Sequence, residues 1–208
     1  MERTLVNHES DPQSSSATYM ADILAEADAI CRRALRENVD QPDLLYLRGM
    51  IAERAGFFDL AVACFKRAAA LDSTIADYWI ASGRVLDLKN YGALAIHAYL
   101  NAMRLCPARA DVFRGLSHVL RRQGRLPEAL VANQEAVRRS SDDAQLFIEA
   151  GQLFVELRRP YDALAQYQMA LMIDPLSAAQ APKLILERAN LGSLTVNWPW
   201  RRVAFRPD

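Results

Sequence analysis

A chain of 208 residues with a formal net charge of zero has no global field to draw in nucleic acid or an anionic membrane. Half of the residues are apolar and a quarter charged, and no apolar run approaches the roughly 20 residues of a membrane helix, so neither a nucleic-acid nor a membrane partner is expected. Three scattered cysteines, Cys31, Cys64 and Cys106, with no basic segment leading into an apolar core at the N-terminus, predict reduced thiols and a cytoplasmic location.

Residues 1–17 contain a serine run and no periodic pattern, and are expected to be a disordered tail. Residues 18–37, YMADILAEADAICRRALREN, read as a lone capping helix. From residue 42 the chain repeats itself every 34 residues, in units 42–75, 76–109, 110–143 and 144–177. Position 8 of the unit is Gly49, Gly83, Ser117 and Gly151; position 20 is Ala61, Ala95, Ala129 and Ala163; position 27 is Ala68, Ala102, Ala136 and Ala170. Position 4 is Leu45, Trp79, Phe113 and Phe147. Position 24 is Phe65, Tyr99 and Tyr167, with Asn133 as the exception that marks unit three as the weakest copy.

Apolar residues at helical spacing flank a break near position 15, at Gly56, Asn90, Gly124 and Arg158. Each unit therefore predicts two helices: 43–55 with 58–71, 76–89 with 92–105, 110–123 with 126–139, and 144–157 with 160–173. Pro127 and Pro160 open second helices, while Pro107 and Pro175 follow them. Small side chains at positions 8 and 20 let the two helices of a unit approach closely, and the large residues at positions 4 and 24 fill the space between units. The small residue at position 27 lets the following unit dock. After Pro175, residues 177–190 predict a second capping helix and residues 191–208 a non-helical tail containing tryptophan and arginine.

Chemistry is sparse. The histidines His8, His97 and His118 are scattered, and the chain has no HExxH, CxxC or phosphate-binding glycine loop. No enzyme activity, cofactor or metal is expected, and the cysteines read as packed thiols. The three lysines, against many arginines, suggest the coding bias of a GC-rich bacterium. Residues 1–30 hold one base and six acids, while residues 176–208 hold five bases and two acids.

The pattern of aromatic, small and alanine positions across residues 42–177 resembles the tetratricopeptide (TPR) repeat. The resemblance implies an all-α fold, a right-handed α-α superhelix with four full repeats between the N- and C-terminal capping helices. It also implies a concave, non-catalytic face lined by first helices. Carried over by position, that face comprises Tyr46, Met50, Ile80, Arg84, Arg114, His118, Arg121, Ile148 and Gln152. Its apolar members suit the side chains of a peptide or helical segment of another protein, and its arginines suit acidic residues of that partner. Helix 110–123 has arginines but no acid beyond its first turn, which favours binding over mutual neutralisation. The carboxylate clamp by which some family members hold heat-shock chaperones is not kept, since Tyr46, Met50, Ala81, Asp111 and Gly115 stand at its positions.

The expected function is an adaptor or co-chaperone. The alternatives are a bacterial chaperone of type III-like secretion, a self-assembling structural protein and a regulatory subunit of an enzyme. Trp198, Trp200, Arg201 and Arg202 in the tail either cap the last helix or form a binding motif, including one that joins copies into a homo-oligomer.

Overall fold

A computed structural model describes residues 12–176 apart from residue 39, with side chains from residue 19 onward. The described residues form nine α-helices and no strand. They fall into two compact units, one ending at Asn90 and the other beginning at Tyr91. The first unit holds α1 (Pro12–Glu37), α2 (Pro42–Arg54), α3 (Phe58–Leu71) and α4 (Ala76–Leu88). The second holds α5 (Gly92–Leu105), α6 (Ala110–Arg122), α7 (Leu126–Arg139), α8 (Ala144–Glu156) and α9 (Pro160–Ile173). The helices of the repeats lie within one residue of their expected bounds. Helix α1 instead begins at Pro12, inside the segment expected to be disordered. The closing helix 177–190 and the tail 191–208 lie outside the described residues.

One turn joins first to second helix in repeats one, three and four. Position 15 adopts a left-handed conformation in every repeat: φ is 80° at Gly56, 61° at Asn90, 74° at Gly124 and 58° at Arg158. The amide of Gly56 donates to the Glu53 carbonyl and that of Phe57 to the Ala52 carbonyl, at 3.0 and 2.8 Å. Gly124 with Arg125, and Arg158 with Arg159, repeat this pair of bonds. This is the Schellman arrangement, which satisfies carbonyls left over at a helix end and reverses the chain in three residues. Pro42 and Pro160 open α2 and α9, where an absent N–H costs little.

Packing follows the period. The alanines at positions 20 and 27 are fully buried in all four repeats. The ring at position 24 has a more specific seat than the space between repeats. A Cβ built on Gly49 would overlap the ring of Phe65, and one built on Gly151 would lie 2.7 Å from the ring of Tyr167. The aromatic therefore lies against the bare backbone of its own repeat's position 8. It also reaches onward: Phe65 packs with Ala81 and Val85 of the next repeat, and Tyr99 occupies the space a side chain on Gly115 would need. Burying such a ring contributes about 1.5–3 kcal/mol, which is forfeited if the seat is filled.

Repeat three uses different chemistry. Ser117 at position 8 donates its hydroxyl to the Ala129 carbonyl at 2.8 Å. Asn133 is fully buried and donates through Nδ2 to the Leu146 carbonyl at 3.2 Å, while its Oδ1 has no partner. The position is thus dry and hydrogen-bonded, and its unpaired oxygen is a cost the aromatic repeats do not carry.

Candidate functional site

The residues expected to line a binding face lie on first helices in each unit. In the first unit these come from α2 and α4. Tyr46 is half-buried, its ring 5.6 Å from that of Phe65 and 5.3 Å from that of Tyr78, centroid to centroid. Met50 is half-buried against the cluster of Ala52, Ala61, Phe65, Ala81 and Val85. Ile80, on α4, is also half-buried. Beside these apolar groups, polar groups of successive repeats are bonded to each other. The Tyr78 hydroxyl donates to Asp43 at 2.6 Å, and Arg84 donates to Glu53 at 2.6 Å. Burial, reinforced by the Asp43 carboxylate, pushes the Tyr78 phenol far above its ordinary value, so it remains a neutral donor.

In the second unit the face is built from α6 and α8, and it is a set of ion pairs. Arg114 donates from Nε and Nη2 to the same Glu149 oxygen, at 3.0 and 2.7 Å. Its Nη1 lies 3.7 Å from Asp143. His118 Nε2 lies 3.2 Å from the other Glu149 oxygen, which has no hydrogen bond of regular geometry. Arg121 donates to Glu156 at 3.0 and 2.5 Å and to Gln152 at 2.7 Å. Burial pushes the Glu149 carboxyl up, but His118 and Arg114 outweigh it and hold the group below the usual carboxylate value.

Arg114 and Arg121 of the basic cluster on α6 are therefore paired with carboxylates of the following repeat. The spacing is regular: Arg114 with Glu149 and Arg121 with Glu156 are each 35 residues apart, as are Tyr78 and Asp43. Position 12 bonds to position 9 of the next repeat twice, in Glu53 with Arg84 and in Arg121 with Gln152, both 31 residues apart. Glu149 and Glu156 are the members that the sequence analysis did not select, and an opposite charge one repeat and one residue later is the signal that finds them. Ile148, expected on the face, is only 8% exposed and packs into the core of the second unit. Trp198, Trp200, Arg201 and Arg202 lie outside the described residues.

Among the described residues no three His, Cys, Asp or Glu side chains are grouped to hold a metal, and no helix is long and apolar enough to cross a membrane. Burial raises the thiols of Cys31 and Cys64 above their ordinary value, away from the reactive thiolate.

No protein-family model and no curated protein sequence matches the chain. Solved structures do. The fold is similar to that of MamA, with a TM-score of 0.71 and 18% identity over 81% of this chain and 97% of that one. It is similar to PilF of Pseudomonas aeruginosa, at 0.69 and 17% over 86% of this chain and 85% of that one. It is also similar to YrrB, a TPR protein with an unusual peptide-binding site, at 0.61 and 21% over 77% and 84%. These likenesses show the fold.

Proposed function

We propose that this chain, which has the tetratricopeptide-repeat fold, is a non-catalytic scaffold that binds a peptide or helical segment of another protein. The observation that carries the reading is the α2–α4 face. Tyr46, Met50 and Ile80 are each partly buried, and the polar groups beside them are already bonded across the repeat boundary. Such a face offers apolar contact area at small ordering cost, the property that lets helical repeats grip an extended or helical ligand.

The α6–α8 face supports a narrower role for charge. An acidic ligand reaching Arg114 or Arg121 displaces carboxylates at 2.7 and 2.5 Å, so its gain is the difference between two similar bonds. Apolar anchoring on α2 and α4 is accordingly the proposed source of affinity in the first unit.

The test is a cross-linking capture of partners from the native cell with the unaltered chain and with Ile80→Asp, helix content being checked by circular dichroism. Loss of the captured protein with helix content retained is the expected result. Undiminished capture moves the site off this face.

A further inference from the structure

The N-terminal helix is half of a repeat. Carried back by one period, α1 covers positions 5–30 of a unit at 8–41, and its end at Glu37 coincides in phase with the ends of α3, α5, α7 and α9. In the full repeats positions 1–13 form a first helix and positions 14–16 turn the chain back. In α1 residues Pro12–Ile23, at positions 5–16, instead continue straight on as its own opening turns and do not lie beside it as a first helix.

The consequence is visible in exposure. Position 23 is 5% exposed at Cys64, 3% at Ala98 and 6% at Ala132, yet Ile30, the residue in that position on α1, is 51% exposed. Ala27 is half-buried where the four alanines in phase with it are fully buried. Tyr19, Ile23 and Ile30, spaced by four and seven residues, stand on one side of α1 and are 67%, 41% and 51% exposed. The side toward α2 is covered: Cys31 is buried, and Asp28 binds Arg48 at 2.9 Å. The apolar strip on α1 thus lacks the cover that position 23 has at Cys64, Ala98 and Ala132.

We infer that this strip is covered by α1 of a second copy, the two helices running antiparallel about a two-fold axis. Charge selects that occupant and orientation. One edge of the strip carries Asp22 and Glu26 in its N-terminal half and Arg33 in its C-terminal half, all exposed and without an ion pair among the described residues. With Ile23 opposite Ile30 of the other copy, Asp22 stands about two residues from register with the other copy's Arg33, roughly 3 Å along the axis. Symmetry forms each contact twice. A parallel two-fold pair would instead set this edge beside the opposite edge of the other helix, where Ala27 and Ala34 offer Asp22 and Arg33 no charge. Glu26 meets its own counterpart near the axis, so that side chain opposes the association.

The surface is separate from the α2–α4 face, and each is tested without the other. Sedimentation equilibrium of the full chain across a concentration series is expected to show a monomer–dimer equilibrium. Ile30→Asp weakens it by about tenfold or more with helix content and partner capture unchanged. Asp22→Arg weakens it as well, Asp22→Arg combined with Arg33→Asp restores it, and Glu26→Gln strengthens it. A chain monomeric at every concentration overturns the proposal, as does a dimer indifferent to Ile30→Asp. A dimer that Ile30→Asp disrupts but the charge exchange does not restore overturns the antiparallel pairing, and an Ile30→Asp chain that only loses a different captured protein assigns the strip to that protein.

Discussion

Arg114 grips one oxygen of Glu149 with two hydrogen bonds, reaching from α6 of one repeat to α8 of the next. Glu149 is 7% exposed and Arg114 35% exposed, so the carboxylate is the member that has given up water. Its ionised form is kept by His118 and Arg114 beside it, against the penalty of burial.

That depressed carboxyl makes stability depend on acid. A group whose folded pKa lies below its unfolded value stabilises the fold above the unfolded pKa, about 4.3 for glutamate, and loses that contribution as pH falls through the folded value. Glu149→Gln is expected to lower unfolding free energy at neutral pH by about 1–3 kcal/mol and to flatten its decline on the acid side. Urea melts of both proteins between neutral and acid pH measure this, and parallel curves would refute it.

The seat of Phe65 on Gly49 predicts an inverted alanine effect. Glycine to alanine inside a helix ordinarily gains about 1 kcal/mol. Here the added methyl overlaps the Phe65 ring, and Gly49→Ala is expected to cost about 1–3 kcal/mol in net stability. Phe65→Leu in the Gly49→Ala background should cost less than it does alone, as a double-mutant cycle of thermal melts would reveal.

Repeat three offers the converse. Asn133→Phe alone meets Ser117, whose side chain stands where the aromatic repeats have glycine. We expect it to destabilise by about 1–3 kcal/mol. Adding Ser117→Gly rebuilds the glycine and ring pair and removes the unpaired Asn133 oxygen, so the double variant should recover to or beyond the parent. Additive losses in chemical denaturation would contradict the packing scheme.

Arg158 holds a left-handed φ of 58° at the turn where two other repeats have glycine. A non-glycine residue there carries about 1–2 kcal/mol of strain. Arg158→Gly should raise unfolding free energy, though by less than that, since glycine also adds freedom to the unfolded chain. A lowered melting temperature would show that the Arg158 side chain contributes more than the strain it imposes.

The repeats were legible because their determinants are local. Alanine at position 20 and a turn residue at position 15 act within one helix pair, alanine at position 27 acts against the next repeat, and the period displays them four times. The ion pairs escaped a search for acids on the helix that carries Arg114 and Arg121, because their partners come 35 residues later. The extension of α1 escaped for another reason. Its first turns contain Ser14, Ser15 and Ser16, which have ordinary to weak helix propensity and no apolar stripe of their own. Ile148 shares its position with Ile80 and Arg114, yet only Ile148 is withdrawn into a core, a distinction periodicity cannot make.

The left-handed turn at position 15 also governs how such a chain can change length. It closes in three residues and sets the azimuth of the helix that follows. One residue inserted within α3 or α9 would rotate everything beyond it by about 100° and swing the alanines away from their neighbours. Viable insertions and deletions in descendants of this gene should accordingly come as whole 34-residue modules or sit in the short segments between helices.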